Sequence, residues 1–294
     1  MPRSIALGFF DGLHIAHMEV LRAAAAYKAQ GLRPAVLLFS EHPQVVLGGT
    51  APPMLLTDEA RDTMLAGLGY EILRLPFRDV MSLPPERFFH EVLLGHFGAK
   101  ALSCGFHYHF GKGAAGSPAL LQPLCAQNQI ALTVVPKVVY QNAPISSTRI
   151  RAALACGNIA VANAMLGRPF GYDFAVVVGD QLGRTLGAPT LNQLFPEGFA
   201  VPRFGVYSSE TFVEGQWRAS ITNIGRRPTV QGAQLRSETH ILAFSGNLYA
   251  QRVPVRLLCF LREERRFISL EALKGQIALD VFARGEMREG IPCE

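Results

Sequence analysis

The sequence is short of paired cysteines and of long apolar runs, and each shortage excludes a class of protein. The 294 residues include five cysteines. No two of them form a CxxC pair and their number is odd, which argues against a disulfide framework or a zinc ribbon. No apolar run reaches the roughly 18 residues of a membrane-spanning helix, and the first ten residues lack the apolar core of a secretory leader. We therefore expect a reduced, cytoplasmic protein without a membrane segment.

Charge is also sparse, and it is scattered along the chain. Charged residues make up 17% of the sequence, and 28 Lys and Arg against 23 Asp and Glu give a net charge of +5. No run of five or six basic residues occurs, so the footprint of a nucleic-acid-binding protein is missing. A mildly basic chain suits an anionic small substrate, and it equally suits no special partner. The hydrophobic share of 49% is enough for ordinary buried cores and argues against disorder.

Strand-like and helical patterns alternate over the first 140 residues. The strand-like segments are residues 4–10, 33–40, 70–77, 100–106 and 130–140. The helical segments between them are residues 14–31, 57–69, 84–98 and 118–129. Strands that alternate with helices at this spacing predict an α/β domain whose parallel sheet is covered on both faces.

The pattern changes after about residue 170. Two short helices are predicted at 146–157 and 158–167, and β-rich segments separated by Gly, Pro and Asn follow them. Such segments predict an antiparallel sheet or a small barrel, and the amphipathic stretch 269–285 predicts a closing helix. The length also suggests two domains. We place them at residues 1–169 and 170–294.

The opening stretch GFFDGLHIAH, residues 8–17, puts two histidines three apart where a strand gives way to a helix. Ligands of parallel sheets bind at the carboxyl ends of the strands, and the N–H groups at a helix N-terminus can hold phosphate. Residues at i and i+3 lie on one side of a helix, so His14 and His17 could donate hydrogen bonds to nucleotide phosphates. The spacing of the two histidines fits two other interpretations as well as it fits phosphate binding: a solvated helix cap, and half of a metal site.

The same stretch resembles the GxFDGxHxGH signature of the FAD synthetase half of bacterial bifunctional riboflavin kinase/FAD synthetases. Further segments match that family in the same order. They are LLFSEHP (37–43), GFHYHFGKGAAG (105–116), ISSTRIR (145–151), GDQLGRTLGAPTLN (179–192), NIGRRPT (223–229) and Glu238-Thr-His240. The resemblance implies a Rossmann-like nucleotidyltransferase domain followed by a six-stranded β-barrel riboflavin kinase domain. It also implies that riboflavin is phosphorylated with ATP to FMN, and that FMN is adenylylated with ATP to FAD and pyrophosphate.

For the kinase half, the resemblance makes Glu238 the base for the riboflavin 5′-hydroxyl. Thr190 and Asn192 would hold Mg²⁺ and the ATP phosphates, since hard oxygen ligands suit that cation. The other nucleotide-binding candidates are Gly183, Arg184, Gly187 and Pro189. Taken alone, Glu238 would be an ordinary exposed carboxylate on a strand, and the glycines would serve turn geometry.

For the adenylyltransferase half, the FMN phosphate would attack the α-phosphate of ATP directly. Catalysis would then come from positioning and from the stabilisation of phosphate charge. The resemblance assigns catalytic roles to His14, His17 and Arg151. The binding candidates are Gly8, Phe10, Asp11, Gly12, Ser146, Ser147 and Thr148. The hydroxyls of SSTRIR also suit a simple helix cap, which is compatible with phosphate binding, and Asp11 is a candidate for supporting the loop.

Two departures from the family pattern keep alternatives open. Ala16 replaces the glycine of HxGH, and His107, Tyr108 and His109 replace the Asp, Phe and Arg of a segment expected near the flavin. The alternatives are a monofunctional riboflavin kinase with a degenerate first domain, and a non-catalytic flavin- or nucleotide-binding regulator. A less favoured one is a metal site formed by His14, His17, His107 and His109.

Overall fold

The computed structural model describes residues 1–178, 189–229, 232–265 and 267–286. The chain forms two compact units, Met1–Ser147 and Thr148–Glu294. In the described ranges, no helix has both the length and the apolar character needed to cross a membrane.

The first unit is built on a five-stranded sheet in the order β3-β2-β1-β4-β5, with parallel pairing throughout. Its strands are β1 Arg3–Leu7, β2 Arg33–Phe39, β3 Glu71–Leu75, β4 Ala99–Gly105 and β5 Ala131–Val135. The side chains of β1 alternate between two apolar cores, with Ile5 and Leu7 in one and Ala6 in the other. The predicted α/β sheet, covered on both faces, is therefore confirmed.

Helices of the first unit follow the predicted order. They are α1 Ile15–Ala26, α2 Pro43–Val46, α3 Asp58–Gly67, α4 Phe77–Val80, α5 Pro85–Arg87, a π-helix Phe88–His96 and α6 Pro118–Gln127. Short 3₁₀ turns cover Asp11–Leu13, Tyr27–Gln30 and Lys112–Ala114, and β6 Val139–Tyr140 and β7 Ala143–Pro144 form a small hairpin. Two buried hydroxyls fix α1 on the sheet, because Ser4 donates to the carbonyl of Ala24 (2.8 Å) and Ser103 to that of Val20 (2.9 Å).

The second unit begins with two helices and continues as an antiparallel sheet. The helices are α7 Ser147–Ala155, which crosses the division between the units, and α8 Ile159–Leu166. The strands are β8 Phe170–Tyr172, β9 Val176–Val177, β10 Thr190–Leu194, β11 Gly205–Val213, β12 Gln216–Thr229, β13 Gly232–Ile241 and β14 Val255–Arg262. Their order is β8-β14-β11-β12-β13-β10-β9.

This sheet closes on itself through its two outer strands, β8 and β9. These strands are consecutive parts of one chain segment, and between them Ala175 forms a bridge to Arg252, just before β14. The segment therefore pairs with β14 at one end and with β10 at the other. Counted as one interrupted strand, it gives the six-stranded barrel that the resemblance implies.

Helices pack on the barrel at both ends of this unit. On α8, Asn163 donates to the carbonyl of Leu257 (3.0 Å) and accepts the backbone N–H of Phe170 (2.7 Å). The closing helix, α9 Leu270–Glu286, is held by two hydrogen bonds from Arg262 to Asp280 (2.9 and 2.7 Å). The predicted C-terminal helix is confirmed, whereas the domain boundary near residue 170 stays a prediction.

Candidate active sites

The first candidate site lies at the carboxyl edge of the parallel sheet, where the strand order reverses. From β1 the chain crosses to β2 on one side, while β4 pairs with the other side of β1. Open α/β sheets bind ligands in the crevice at such a point. Residues 8–17 leave the end of β1, and residues 105–116 begin at the end of β4. The fold therefore brings two of the matched motifs to the same edge.

The turn after β1 has an unusual backbone that its apolar side chains stabilise. Phe10 and Leu13 have positive φ angles of 56° and 42°, and both side chains are fully buried in the core beneath α1. Gly12 has a φ of 80°, a conformation that glycine adopts without steric cost. Because the Phe10 ring is buried, a ligand can meet this residue only through its backbone.

Asp11 ties this turn to two other segments. Its carboxylate accepts the backbone N–H of Leu55 (2.8 Å), and its carbonyl accepts the hydroxyl of Ser147 at the start of α7 (2.9 Å). Asp11 is only 4% exposed. These contacts favour the interpretation that Asp11 supports the loop.

The two histidines lie side by side at the start of α1. His14 is the N-cap, and its Nδ1 accepts the backbone N–H of His17 (3.2 Å). A neutral His14 therefore carries its proton on Nε2, where it can act as a donor. The two rings are stacked with centroids 3.6 Å apart and planes 15° apart. One short turn thus holds two adjacent imidazoles, of which His14 is buried and His17 half-buried.

A third histidine reaches this region from the end of β2. His42 caps α2 by accepting the backbone N–H of Gln44 (3.2 Å), and its ring packs against the edge of Phe9 at 4.5 Å. Phe9 and His42 were not among the residues selected from the sequence. The matched segment LLFSEHP was the signal that could have found His42.

The segment after β4 is a tight loop with an aromatic interior. Phe110 and Gly116 exchange two backbone hydrogen bonds (3.2 and 2.8 Å), and a Cβ on Gly116 would lie 2.6 Å from the Phe110 ring. Tyr108 stacks on Phe110 with centroids 5.7 Å apart, and burial raises the pKa of its hydroxyl. His107 and His109, in contrast, are exposed. Of the three positions that depart from the family pattern, Tyr108 is therefore packed, and His107 and His109 are accessible.

We examined the first site for a metal-binding cluster and for a reactive thiol. Over the ranges that the structure describes, no three His, Cys, Asp or Glu side chains gather closely enough to hold a metal ion. The four-histidine metal site is therefore not supported. Burial raises the pKa of the Cys104 thiol to about 12, so this residue is no nucleophile at neutral pH.

The remaining adenylyltransferase candidates selected from the sequence lie at the start of helix α7 and along it. Ser146 and Ser147 are half-buried at its start, and Thr148 in its first turn is exposed. Arg151 follows one turn later and is half-buried. The Ser147 hydroxyl already donates to the carbonyl of Asp11. The donor that Ser147 can offer a ligand is therefore its backbone N–H.

The second candidate site is a row of polar side chains across three strands of the barrel. Asn192 on β10 lies directly opposite Glu238 on β13, and Glu238 lies directly opposite Asn223 on β12. Directly opposed residues point to the same face of a sheet. Thr190 lies two residues before Asn192 and shares this face, opposite His240.

A ladder of buried hydroxyls fills the other face of these strands. Thr222 exchanges hydrogen bonds with Ser209 (2.8 Å) and with Thr239 (2.9 Å), and all three residues are fully buried. Since side chains alternate along a strand, Glu238 points away from this interior. The ladder thereby fixes which residues of β13 face the site.

Glu238 and Asn223 each have a charged partner. Arg227 holds both oxygens of the Glu238 carboxylate, from Nε (3.0 Å) and Nη2 (3.2 Å). Asn223 donates to Glu264 (2.9 Å), whose carboxylate occupies the space that a Cβ on Gly225 would need. Neither Arg227 nor Glu264 was selected from the sequence. The motif NIGRRPT contains Arg227, whereas Glu264 lies in a plain charged run without a signal.

Comparison with known proteins identifies the family of this chain. The family model for FAD synthetase matches residues 1–149, and the model for riboflavin kinase matches residues 166–286. A bifunctional riboflavin kinase/FMN adenylyltransferase from Bacillus subtilis (strain 168) is 32% identical over 284 residues, which cover 94% of this chain and 89% of the relative. The chain belongs to the bifunctional riboflavin kinase/FMN adenylyltransferase family.

A second member of this family and one solved structure are also similar to the chain. The family member from Escherichia coli (strain K12) is 34% identical over 281 residues, covering 94% of this chain and 90% of the relative. A crystal structure described as a macrolide-efflux protein from Streptococcus pneumoniae has a TM-score of 0.85 and 29% identity, over 99% of this chain and 95% of that chain. Its likeness extends the shared fold over both units.

The matched kinase motif, residues 179–192, lies only partly within the residues that the structure describes. Gly183, Arg184 and Gly187 lie outside them. Pro189 is exposed, and its carbonyl accepts a hydrogen bond from Nδ1 of His240 (3.0 Å), which docks the start of β10 on β13. The oxygens of Thr190 and Asn192, beside the Glu238 carboxylate, are the ligand type that a hard divalent cation prefers.

Proposed function

We propose that the chain phosphorylates riboflavin to FMN in its C-terminal domain, residues 170–294, and adenylylates FMN to FAD in its N-terminal domain, residues 1–169. The observation that supports this proposal is that the chain matches both family models, and that candidates from each match lie close together in the described residues. Thr190 and Asn192 share a face with Glu238 on the barrel, and His14 and His17 lie at the reversal point of the parallel sheet. The substrates are ATP, riboflavin and FMN, with Mg²⁺ as the metal ion and the cytoplasm as the site of action.

In the kinase reaction, Glu238 accepts the proton of the riboflavin 5′-hydroxyl as its oxygen attacks the γ-phosphorus of ATP. The bond from that phosphorus to the bridging oxygen breaks, and ADP leaves. A positioned base matters because a primary alcohol is a poor nucleophile. Thr190 and Asn192 would hold Mg²⁺, which neutralises charge on the phosphates. Gly183 and Gly187, which lie outside the described residues, are further candidates for nucleotide binding.

In the adenylyltransferase reaction, an FMN phosphate oxygen attacks the α-phosphorus of ATP, and the bond to pyrophosphate breaks. No covalent enzyme intermediate is needed. His14, through Nε2–H, and His17 would donate hydrogen bonds to the phosphate oxygens, whose negative charge grows in the transition state. Ser146, Ser147, Thr148 and Arg151 would form a second phosphate clamp.

Product analysis tests the proposal and separates the alternatives. The purified protein is incubated with riboflavin, ATP and Mg²⁺, and FMN and FAD are followed by chromatography. We expect FMN first and FAD after it. FMN alone would favour a kinase with a degenerate first domain, and binding without either product would favour a non-catalytic regulator.

A fragment that begins at Thr148 should phosphorylate riboflavin without the rest of the chain. It keeps α8, whose Asn163 bonds to both β14 and Phe170, so the barrel retains its packing. A fragment that begins at Arg168 loses those bonds and should melt at a lower temperature. Thermal unfolding and FMN formation check both fragments. A folded Thr148 fragment that binds neither flavin nor ATP would contradict the kinase assignment.

Replacing Ala16 by Gly should improve FMN adenylylation. Ala16 lies in the first turn of α1, half-buried next to His17. A methyl group that its surroundings cannot accommodate costs about 1–3 kcal/mol, which is roughly a tenfold to hundredfold loss of ATP affinity. The KM for ATP with FMN as co-substrate measures the effect. Ala26→Gly at the far end of α1 is the control for the cost of glycine in the helix.

Comparing wild-type protein with Ala16→Gly also tests the second departure from the family pattern, at residues 107–109. We expect wild-type protein to make FAD more slowly than FMN, so that FMN accumulates first. If wild-type protein makes no FAD and Ala16→Gly does not restore it, the loop at His107-Tyr108-His109 becomes the cause instead.

A further inference from the structure

The ion pair between Arg227 and Glu238 reaches along the sheet as well as across it. The register sets Glu238 opposite Asn223, whereas Arg227, four residues further along β12, is set opposite Gln234. Residues separated by an even number on a strand share a face, so Arg227 and Glu238 are on the same face. Arg227 therefore extends back along that face to meet the carboxylate.

The arginine contacts the carboxylate at two points, and the carboxylate is the less exposed of the two groups. Nε and Nη2 of Arg227 each contact a different oxygen of Glu238, at 3.0 and 3.2 Å. The Glu238 side chain is 19% exposed and the Arg227 side chain 49%. A half-exposed pair adds little to stability, but a two-point contact sets the plane of the carboxylate.

We propose that Arg227 is a positioning residue of the kinase site, which orients the Glu238 carboxylate toward the riboflavin 5′-hydroxyl. The proposal rests on the proposed function of Glu238 as the base. Each carboxylate oxygen has two lone pairs. The guanidinium uses one lone pair on each oxygen, and the other remains for the substrate hydroxyl. Arg227 thus holds the base in place without occupying its reactive positions.

A matched pair of neighbouring arginines tests this role. Arg227→Gln should lower kcat for riboflavin phosphorylation by roughly 10- to 100-fold, since a misplacement of about 1 Å can cost that much. The KM for ATP should stay nearly constant. The control is Arg226→Gln, because Arg226 is the neighbouring arginine on the same strand and lies over the Phe204 ring (5.8 Å to its centroid); kcat of this variant should not change. Arg227→Lys keeps the charge but loses the planar fork, and it should remain impaired.

A double-mutant cycle decides whether Arg227 acts through Glu238. In the Glu238→Gln protein, Arg227→Gln should have almost no further effect on kcat. Thermal unfolding, measured on every variant, reports whether the barrel stays folded. Three results would overturn the proposal. The losses of kcat in the two single variants could multiply in the double variant, or Arg227→Gln could raise the KM for ATP at unchanged kcat; either would indicate that Arg227 binds phosphate. Full activity of Arg227→Lys would indicate that only its positive charge matters.

The cycle also separates this inference from the proposed function. If Glu238→Gln keeps full kinase turnover, the assignment of the base fails and the role of Arg227 fails with it. If Glu238→Gln loses turnover and Arg227→Gln does not, the base stands and only the positioning role is wrong.

Discussion

Riboflavin phosphorylation should fall by about 10²–10⁴-fold when Glu238 is replaced by Gln, which is the usual contribution of a positioned base. The amide has nearly the same size as the carboxylate and keeps one oxygen that can accept from Arg227. It cannot take the proton of the riboflavin hydroxyl. The initial rate of FMN formation at saturating ATP measures the loss.

FMN adenylylation by the same variant should be unchanged, because we assign that chemistry to the other unit. Glu214→Gln is the control, since Glu214 is an exposed partner of Arg218 on the same barrel. Equal loss of both activities would point to misfolding or to a shared site, and it would contradict the assignment of Glu238.

The second large effect is expected at His17. We expect His17→Ala to slow FMN adenylylation by roughly 10²–10³-fold, the cost of losing one donor that stabilises transition-state charge. The backbone N–H of His17 still bonds to His14, so the start of α1 should be retained. The rate of FAD formation from FMN and ATP checks this expectation, and riboflavin phosphorylation should not change.

His17 is a cleaner test than His14, and the reason is structural. The His14 side chain caps α1, and loss of an N-cap alone costs about 1 kcal/mol of stability. His90→Ala is the control, since His90 is an exposed histidine of the same unit. Normal FAD synthesis by His17→Ala would mean that the opening stretch does not handle phosphate.

Periodicity predicted the order of the elements, and local backbone chemistry explains where the bounds differ. The predicted strand 130–140 ends at Val135, because Pro136 cannot donate to the ladder. The predicted strand 4–10 ends at Leu7, where the left-handed residue Phe10 and the glycines turn the chain. The predicted helix 84–98 is present, but Phe88–His96 has π-type hydrogen bonds, which side-chain periodicity does not specify.

The candidate sites were predictable as residue types and not as contacts. Glu238 and Asn192 are far apart in the chain, and only the register of β10 and β13 makes them neighbours. A shift of one residue would turn Glu238 into the barrel, and no local pattern excludes that shift. The same holds for Arg227, whose reach to Glu238 depends on the pairing of β12 with β13.

The central claim is that one chain carries two separate sites that are linked by FMN, and a complementation assay tests it most directly. Glu238→Gln and His17→Ala proteins are each incubated with riboflavin, ATP and Mg²⁺, alone and mixed, and FAD is measured by chromatography. Each variant alone should make little FAD, and the mixture should make it at a rate near that of the wild type, because FMN released by one protein is used by the other. A mixture that makes no more FAD than the two variants separately would contradict the claim.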